Sequence, residues 1–305
     1  GSYRLVRKIG QGGMGAVYRA IEERTGRFVA LKLMHTEWCE SLSPTKREEA
    51  LMRFRQEALV TASIEHDHVV TLYDFHDSEG LPYYTMKYVE GQSLAELLRD
   101  GPLANDRAAA LLIPIVEAVH HAHQKKLLHR DIKPSNILID RTDRPYITDF
   151  GLAKWMTRTS QLTQSGVQMG TPSYMPPETA RGEPAIGPAG DVYSLGATLY
   201  AMLTGRPPFQ TPHPIETLRQ VVQKDPVPPR RLNTTVHPDL ETICLKCLQK
   251  EPTKRYPTAR ALADDLRRFR NRQPILARPV GTVERLWMWS RRNRGVAALT
   301  FGPDH

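Results

Sequence analysis

The chain has 305 residues, 40% of them apolar and 25% charged, which suits one large domain or two of average size. Three cysteines are too few for a disulfide framework and indicate a reducing compartment, and no apolar run reaches the roughly 18–20 residues of a membrane span. The net charge of +9 is concentrated between residues 267 and 294, where nine arginines and one glutamate leave +8 and the remainder is nearly neutral.

The N-terminal part of the chain reads mainly as strands. The first residues lack the apolar core of a signal peptide. Residues 3–34 form short β-rich runs separated by glycines, and further strands are predicted within 68–77 and 81–91. Between them, residues 44–63 set apolar positions among charged ones at helical spacing, which predicts an amphipathic helix.

The pattern becomes helical after Gly91. Helices are predicted in 93–100 and 105–126, and Pro114 inside the second predicts a bend or a late start. Two short strands are predicted within 136–150, and residues 190–270 read as mainly helical. A β-rich part therefore precedes a helix-rich part, with a boundary near residues 89–92.

A glycine-rich loop follows the first predicted strand. Gly10, Gly12 and Gly15 are spaced so that backbone can approach a polyphosphate without a Cβ clash. Because the next run is strand-like, the loop is predicted to be a β-turn lid and not a dinucleotide-binding fingerprint. The following strand, "VALK", carries Lys32, which needs a ligand such as a phosphate in that apolar setting. Glu57, on the predicted helix, can supply the balancing charge.

Polar side chains gather again in "HRDIKPSN", which starts at His129, and in "DFG", which starts at Asp149. Asp131 can accept a proton from an attacking hydroxyl, and Lys133 can neutralise charge on a transferred group. Asn136 and Asp149 carry oxygen ligands suited to Mg²⁺, which usually binds through few carboxylates plus substrate phosphates. They lie 13 positions apart, which leaves room for a hairpin that brings both to one mouth.

These segments together resemble the eukaryotic-type (Hanks-type) serine/threonine protein kinase family, bacterial receptor-like group, over about residues 3–271. The glycine loop, "VALK", "HRDIKPSN", "DFG" and "PPE", a variant of the family's "APE", occur in the family's order and spacing. The resemblance implies an α+β, bilobal kinase fold. It would comprise a β-rich N-lobe with one regulatory helix (1–89), a mainly helical C-lobe (90–271) and a basic, juxtamembrane-like tail (272–305).

The roles that the family assigns carry over to the matching positions. Asp131 would be the catalytic base with Lys133 beside it, and Asn136 and Asp149 would hold Mg²⁺. Met86 resembles the gatekeeper residue, followed by the hinge against the adenine edge. The implied ATP site comprises Ile9, Gly10, Gln11, Gly12, Gly13, Met14, Gly15, Ala16, Val17, Ala30, Lys32, Glu57, Met86, Lys87 and Val89.

The resemblance also implies a substrate class and a means of control. Lys133 combined with Thr171, which precedes the substrate-binding turn, resembles serine/threonine rather than tyrosine specificity. Thr163 and Ser165 resemble the autophosphorylation positions of bacterial receptor-type kinases, and Arg130 beside the base can pair with a phosphate there. Protein substrates and self-association for trans-autophosphorylation are therefore the expected partners.

Several other residues are expected to be structural. Glu178 is expected to pair with Arg255, as the family's corresponding residues do. Asp191 reads first as a helix N-cap, and the family's role for it, bracing the catalytic loop, can hold together with that reading. Two sets that suggest metal ligands read instead as helix-face and core residues: His120, His121 and His123, and the lone CxxC pair of Cys244 and Cys247.

Three other interpretations remain. A pseudokinase scaffold would be expected to lack Lys32, Asp131 or Asp149, and all three are present. A kinase of small molecules would not need the activation segment at 154–178. A nucleic-acid-binding protein is suggested by the basic tail, but the nearly neutral core carries no recognition motif, so no nucleic-acid partner is expected.

The composition of the tail indicates where in the cell the kinase domain is held. Its arginines stand beside Trp287 and Trp289 and precede a short apolar run, an arrangement typical of the cytoplasmic side of a membrane helix. We expect residues 267–294 to face an anionic membrane surface, with a cytoplasmic kinase domain anchored at the inner membrane in a longer parent protein. A tail folded on the kinase lobe and a solvated basic arm are the alternatives. The segment 35–50, longer than is usual in the family, forms an extra helical turn or a partner surface.

Overall fold

The computed structural model describes residues 2–11, 15–34, 43–76, 82–150, 172–183 and 187–277. Its N-terminal part is a five-stranded antiparallel sheet with strand order β1-β2-β3-β5-β4 and one helix against it. These elements are β1 (Tyr3–Gln11), β2 (Gly15–Glu22), β3 (Phe28–Met34), α1 (Pro44–Ala62), β4 (Leu72–His76) and β5 (Tyr83–Lys87). The predicted strands and the amphipathic helix are thus confirmed.

Helix α1 packs on the sheet through one apolar face. Phe54 and Ala58 are buried, whereas Met52 and Leu59 on the outer side are 60% and 58% exposed. The ring of Phe54 lies 5.0 Å from that of Tyr84 on β5, measured between centroids. This face gives the N-terminal part a core of its own and fixes the helix beside the strand that carries Lys32.

The C-terminal part is mainly helical and carries a three-stranded sheet, order β6-β7-β8, on the side of the first sheet. Its strands are β6 (Gly91–Ser93), β7 (Ile137–Asp140) and β8 (Pro145–Ile147). Its α-helices are α2 (Leu94–Leu97), α3 (Asn105–Gln124), α4 (Pro177–Ala180), α5 (Pro188–Thr204), α6 (Pro214–Gln223), α7 (Pro229–Leu232), α8 (Pro238–Cys247) and α9 (Ala259–Arg270). Together the two parts make the expected bilobal α+β fold.

Helix α5 is the centre of the C-lobe. Every residue from Gly190 to Leu203 is buried, so the helix is surrounded by other elements on all sides. It crosses α8 closely, because a Cβ on Gly196 would stand 2.2 Å from the Cβ of Cys247. Cys244 and Cys247 are both fully buried and free, as predicted for small core residues.

Three sequence-based expectations need correction. Helix α3 already begins at Asn105 and runs through Pro114, so the proline does not mark a late start. Asp191 does not cap α5, because the N-cap is Gly187 and Asp191 lies inside the first turns. Packing also continues past residue 271, where the C-lobe was expected to end. Ile275 is buried, and Asp265 accepts backbone N–H bonds from the two residues that follow Ile275.

The lobes meet along the chain between α1 and β4. Val69 forms a parallel bridge with Ile147 of β8. The N–H of Ile147 donates to the His68 carbonyl at 2.8 Å, and the N–H of Val70 donates to the Ile147 carbonyl at 2.9 Å. Within the described ranges, no helix has the length and apolar character needed to span a bilayer.

Candidate active site

The glycine loop lies above the strand that carries Lys32. Gly10 pairs with Val17 across β1 and β2, and Val17 pairs with Lys32 across β2 and β3. Gly15 has to be glycine here, because a Cβ would stand 2.3 Å from the Leu33 carbonyl oxygen. Ile9, Gln11 and Ala16 flank the same turn, whereas Gly12, Gly13 and Met14 lie outside the described residues.

An apolar cluster lies next to these strands. Ala30 and Met86 are buried in it, and Val17 and Val89 pack against it. Lys87 ends β5 and leads into the connection between the lobes. Leu138 of β7 packs against the same cluster and was missed by the sequence reasoning. The signal was strand alternation: Ile137 points into the C-lobe core, so its neighbour faces the opposite side.

Lys32 and Asp149 form an ion pair. The Lys32 Nζ lies 2.8 Å from Asp149 Oδ1. Asp149 adopts a left-handed backbone with φ of 59°, a conformation that costs a non-glycine residue free energy and is concentrated at functional sites. Glu57, the expected partner of Lys32, lies on α1, but its side chain is outside the described part.

Asp131, Lys133 and Asn136 form a compact polar group. The Lys133 Nζ donates to Asp131 Oδ2 at 2.9 Å. The Asn136 amide donates to the Asp131 carbonyl at 2.8 Å and to its Oδ2 at 3.2 Å. A one-turn helix, Pro134–Asn136, turns the asparagine back towards the base. Its carbonyl oxygen accepts the Ser135 hydroxyl at 3.4 Å and keeps a second lone pair that can face other ligands.

Asp191 holds this catalytic loop from below. Its carboxylate accepts the backbone N–H bonds of His129 and Arg130, both at 2.8 Å, and contacts His123 Nε2 at 2.8 Å. Burial raises the pKa of Asp191, but the hydrogen bonds from His123 and from the Arg130 backbone N–H outweigh it and leave that pKa below its ordinary value. These contacts fix Arg130 in a left-handed conformation with φ of 64°.

The His129 ring is locked in its neutral form. Its Nδ1 accepts the N–H of Asp131 at 3.3 Å, so its Nε2 must carry the proton that is donated to the Thr148 carbonyl at 3.1 Å. Burial lowers the pKa of His129, which favours the same neutral state. The ring packs on Phe150 at 4.5 Å between centroids and acts as a structural link between the two polar segments.

Glu178 and Arg255 form a buried, bidentate ion pair. The two guanidinium nitrogens donate to the two carboxylate oxygens at 2.7 and 2.8 Å. The same guanidinium also donates to the carbonyls of Ala189, Gln249 and Lys250. The pair therefore ties α4, which follows the activation segment, to the base of the C-lobe.

The predictions for the activation segment stay predictions. Thr163, Ser165 and Thr171 lie outside the described residues. Among the residues that the structure describes, no cluster of three His, Cys, Asp or Glu side chains is arranged to hold a metal ion. His123 instead contacts Asp191 through its Nε2. The sequence reasoning missed this contact because the two residues are 68 positions apart.

The geometry brings together the parts needed to transfer an anionic group to a hydroxyl. A carboxylate, Asp131, can accept a proton, and two lysines can stabilise negative charge. Asn136 and Asp149 offer an amide oxygen and a carboxylate at the same mouth, a donor set that fits Mg²⁺. The apolar cluster that includes Val17, Ala30 and Met86 offers apolar side chains suited to a flat ring.

Comparison with known proteins gives the same picture. A family model described as the protein kinase domain matches residues 3–266. The serine/threonine-protein kinases PknB of Mycolicibacterium smegmatis and Mycobacterium tuberculosis are 38% and 36% identical over 277 and 278 residues, each covering 89% of this chain. A probable serine/threonine-protein kinase of Corynebacterium efficiens is 36% identical over 274 residues, or 87% of the chain. The chain spans only 40–43% of the length of these curated relatives.

Proposed function

The chain belongs to the protein kinase family, and we propose that it transfers the γ-phosphoryl group of ATP to serine and threonine hydroxyls of proteins. The observation that carries this proposal is the joint geometry of Asp131, Lys133 and Asn136 opposite the Lys32–Asp149 contact. The serine/threonine class rests on Lys133 and on the names of the similar kinases.

ATP would lie between the lobes. Val17, Ala30, Met86, Val89 and Leu138 offer apolar surface to the adenine ring, and the backbone at Lys87–Val89 faces its polar edge. The glycine loop from Ile9 to Val17 would cover the phosphates. Lys32 would bind them from β3, with Glu57 on α1 as its counter-charge.

Mg²⁺ would neutralise the phosphate charge when it is bound by Asn136 and Asp149. The residues fit this role, because Asn136 already donates through Nδ2 and keeps an oxygen acceptor for the ion. Asp149 is held at the mouth by its left-handed backbone and by Lys32.

Asp131 would take the proton of the substrate hydroxyl. The hydroxyl oxygen then forms a bond to the γ-phosphorus, the bond between that phosphorus and the β–γ bridging oxygen breaks, and ADP leaves. Lys133, 2.9 Å from Asp131, is close enough to stabilise charge on the phosphoryl group in flight. Asp191 keeps the loop that carries the base in place.

Radiolabel transfer from ATP to myelin basic protein tests this function. Asp131→Asn keeps the shape of the base but cannot accept the proton, so we expect transfer to fall by about 10²–10⁴-fold. Asp143→Asn, on an exposed turn, is the matched control and should retain activity. No transfer by the wild type would contradict the proposal and favour a pseudokinase scaffold, and label on tyrosine would contradict the substrate class.

We further propose that the kinase phosphorylates its own activation segment at Thr163 and Ser165, with Thr171 near the substrate. Support comes from Arg130, whose backbone is fixed beside Asp131 and whose charge suits a phosphate. Mass spectrometry after incubation with ATP should find phosphate at these positions. A fully active enzyme with an unmodified segment would contradict this expectation.

We propose that the basic segment 267–294 holds the kinase domain at an anionic, inner-membrane surface in a longer parent protein. Support comes from its charge of +8 and from the relatives being more than twice as long as the matched region. Most of this segment lies outside the described residues.

A further inference from the structure

Histidines meet where the α1–β4 connection packs on helix α3. The ring of His66 lies 5.6 Å from that of His121 and 5.9 Å from that of His68, measured between centroids. A surface cavity of about 520 Å³ opens beside them, lined by His66, His121, His120, Glu117, Gln124 and Arg260. None of these side chains takes part in the phosphotransfer site described above.

The hydrogen bond at this contact requires a neutral His66 ring. The N–H of His68 donates to His66 Nδ1 at 3.1 Å, and a ring nitrogen can accept only while it is unprotonated. The Nε2 of His121 beside it is buried and has no hydrogen-bond partner among the described residues. A proton added at His66 Nδ1 would therefore remove this acceptor and place a poorly solvated charge beside the His121 ring.

The carboxylates around the cluster are already engaged by arginines. Asp67 pairs with Arg144 at 3.3 Å. On the facing helices, Glu117 pairs with Arg267, and Asp264 pairs with Arg260 at 3.1 Å and with Arg267 at 2.8 Å.

Burial, followed by the nearby His68 and His121 rings, lowers the pKa of His66, and Asp67 opposes this only weakly. Burial, His123 and Arg260 lower the pKa of His120 in the same cavity. Lys125 adds a further positive charge at the Ser63 carbonyl. The surroundings thus resist positive charge on these rings.

Both sides of the joint lead to the phosphotransfer site. On one side, the His68 carbonyl accepts the N–H of Ile147, two residues before Asp149. On the other side, His121 is two residues before His123, which contacts Asp191 beneath the catalytic loop. Separation of the two rings would therefore displace both β8 and the catalytic loop.

We propose that the His66–His121 contact is a proton-sensitive joint that holds the kinase together while the His66 ring is neutral and opens when that ring is protonated, which lowers activity at mildly acid pH. The effect on activity rests on the proposed kinase function, but the effect on stability does not. Because the folded state binds a proton at His66 less readily than the unfolded chain, the stabilisation is complete above pH of about 6.5 and is lost as pH falls.

One variant removes the titrating ring of His66. His66→Asn retains an oxygen that can accept the His68 N–H, whereas His121→Phe keeps the His66 ring and a ring beside it and is the first control. His213→Asn, exposed at the start of α6, is the second control. Thermal unfolding in the presence of a metal chelator and kinase turnover are measured between about pH 7.5 and 5.5.

We expect the wild type, His121→Phe and His213→Asn to lose melting temperature and activity over this range, and His66→Asn to lose several-fold less. Equal pH dependence in all four proteins would overturn the proposal. A wild type that shows the stability effect but transfers no phosphate at any pH would support the joint and contradict the kinase function. If a variant does not fold, NMR titration of wild-type His66 decides: a pKa below 6.5 supports the joint, and one at or above it overturns the proposal.

Discussion

At the scale of single residues, Asp191 shows how buried charge stabilises a strained loop. Arg130 adopts φ of 64°, and such a conformation costs about 1–3 kcal/mol. Hydrogen bonds to a charged acceptor contribute about 1.5–3 kcal/mol each, and Asp191 accepts two from this backbone. The carboxylate therefore more than offsets the strain and keeps Asp131 where a hydroxyl can reach it.

Asp191→Asn tests this balance. The substitution keeps the volume but removes the charge and turns an amide towards backbone donors, so we expect the free energy of unfolding to fall by about 3–5 kcal/mol. Urea denaturation measures the loss, and kcat should fall more than KM rises because the base is misplaced.

The pH dependence of the Asp191 contribution provides its control. The folded pKa of Asp191 is lowered, so its stabilisation is present above the unfolded value of about 3.9 and is lost as pH falls through the folded pKa. The wild type and Asp191→Asn should therefore converge in stability below about pH 4. If the difference in stability between the wild type and Asp191→Asn does not become smaller at low pH, the role of the Asp191 charge is contradicted.

The sequence predicted the residues of the phosphotransfer site better than it predicted the contacts that hold them in place. Asp131, Lys133, Asn136 and Asp149 lie in short segments whose spacing already implied a common mouth, and the structure brings them together. Asp191 was first read as an N-cap because a local pattern is all that a helix start offers. Its actual partners lie more than 60 positions away, and no local periodicity reports such a contact.

At the scale of elements, the C-lobe depends on close helix crossings. Helices α5 and α8 approach until only a hydrogen fits between Gly196 and Cys247. The helices themselves were predictable from apolar periodicity. Their crossing was not, because a single glycine in a helical pattern does not identify which other helix packs against it.

Gly196→Ala should destabilise the protein by about 1–3 kcal/mol, because its methyl group would overlap the Cys247 side chain and force the helices apart. Chemical denaturation gives the value. Cys247→Gly removes the opposing Cβ, so the double variant should be less destabilised than the two single changes predict by addition. Strict additivity would show that the crossing is not the cause.

The Glu178–Arg255 pair allows a second element-scale prediction. Arg255→Lys keeps the charge but cannot donate to both carboxylate oxygens, so we expect a loss of about 1.5–3 kcal/mol in the free energy of unfolding. Arg107→Lys disturbs the exposed pair with Asp143, whose side chains are 44% and 48% exposed, and should cost less than about 1 kcal/mol. Equal losses of unfolding free energy in the two variants would show that burial does not strengthen the Glu178–Arg255 pair.

At the scale of the whole molecule, the tail differs from the kinase domain in its charge. The C-lobe continues to Ala277, where Asp265 and Ile275 secure the chain after α9. The family resemblance placed this limit at 271, and the buried Asp265 carboxylate that binds the following backbone N–H groups is not part of the motifs that carried the resemblance. Beyond Ala277 the chain carries five more arginines and two tryptophans.

Removal of residues 278–305, which carry five of the nine arginines, should therefore strongly weaken binding to anionic vesicles and leave folding intact, because the last anchored residue is kept. Each arginine near such a surface contributes about 1 kcal/mol, and the attraction is screened as salt shortens the Debye length to about 3 Å at 1 M. Co-sedimentation with phosphatidylserine vesicles at low and high salt measures the effect. Replacement of the five arginines by lysine should preserve binding, whereas replacement by glutamine should strongly weaken it. Binding that glutamine or high salt does not weaken would mean that the tryptophans, and not the charge, hold the tail.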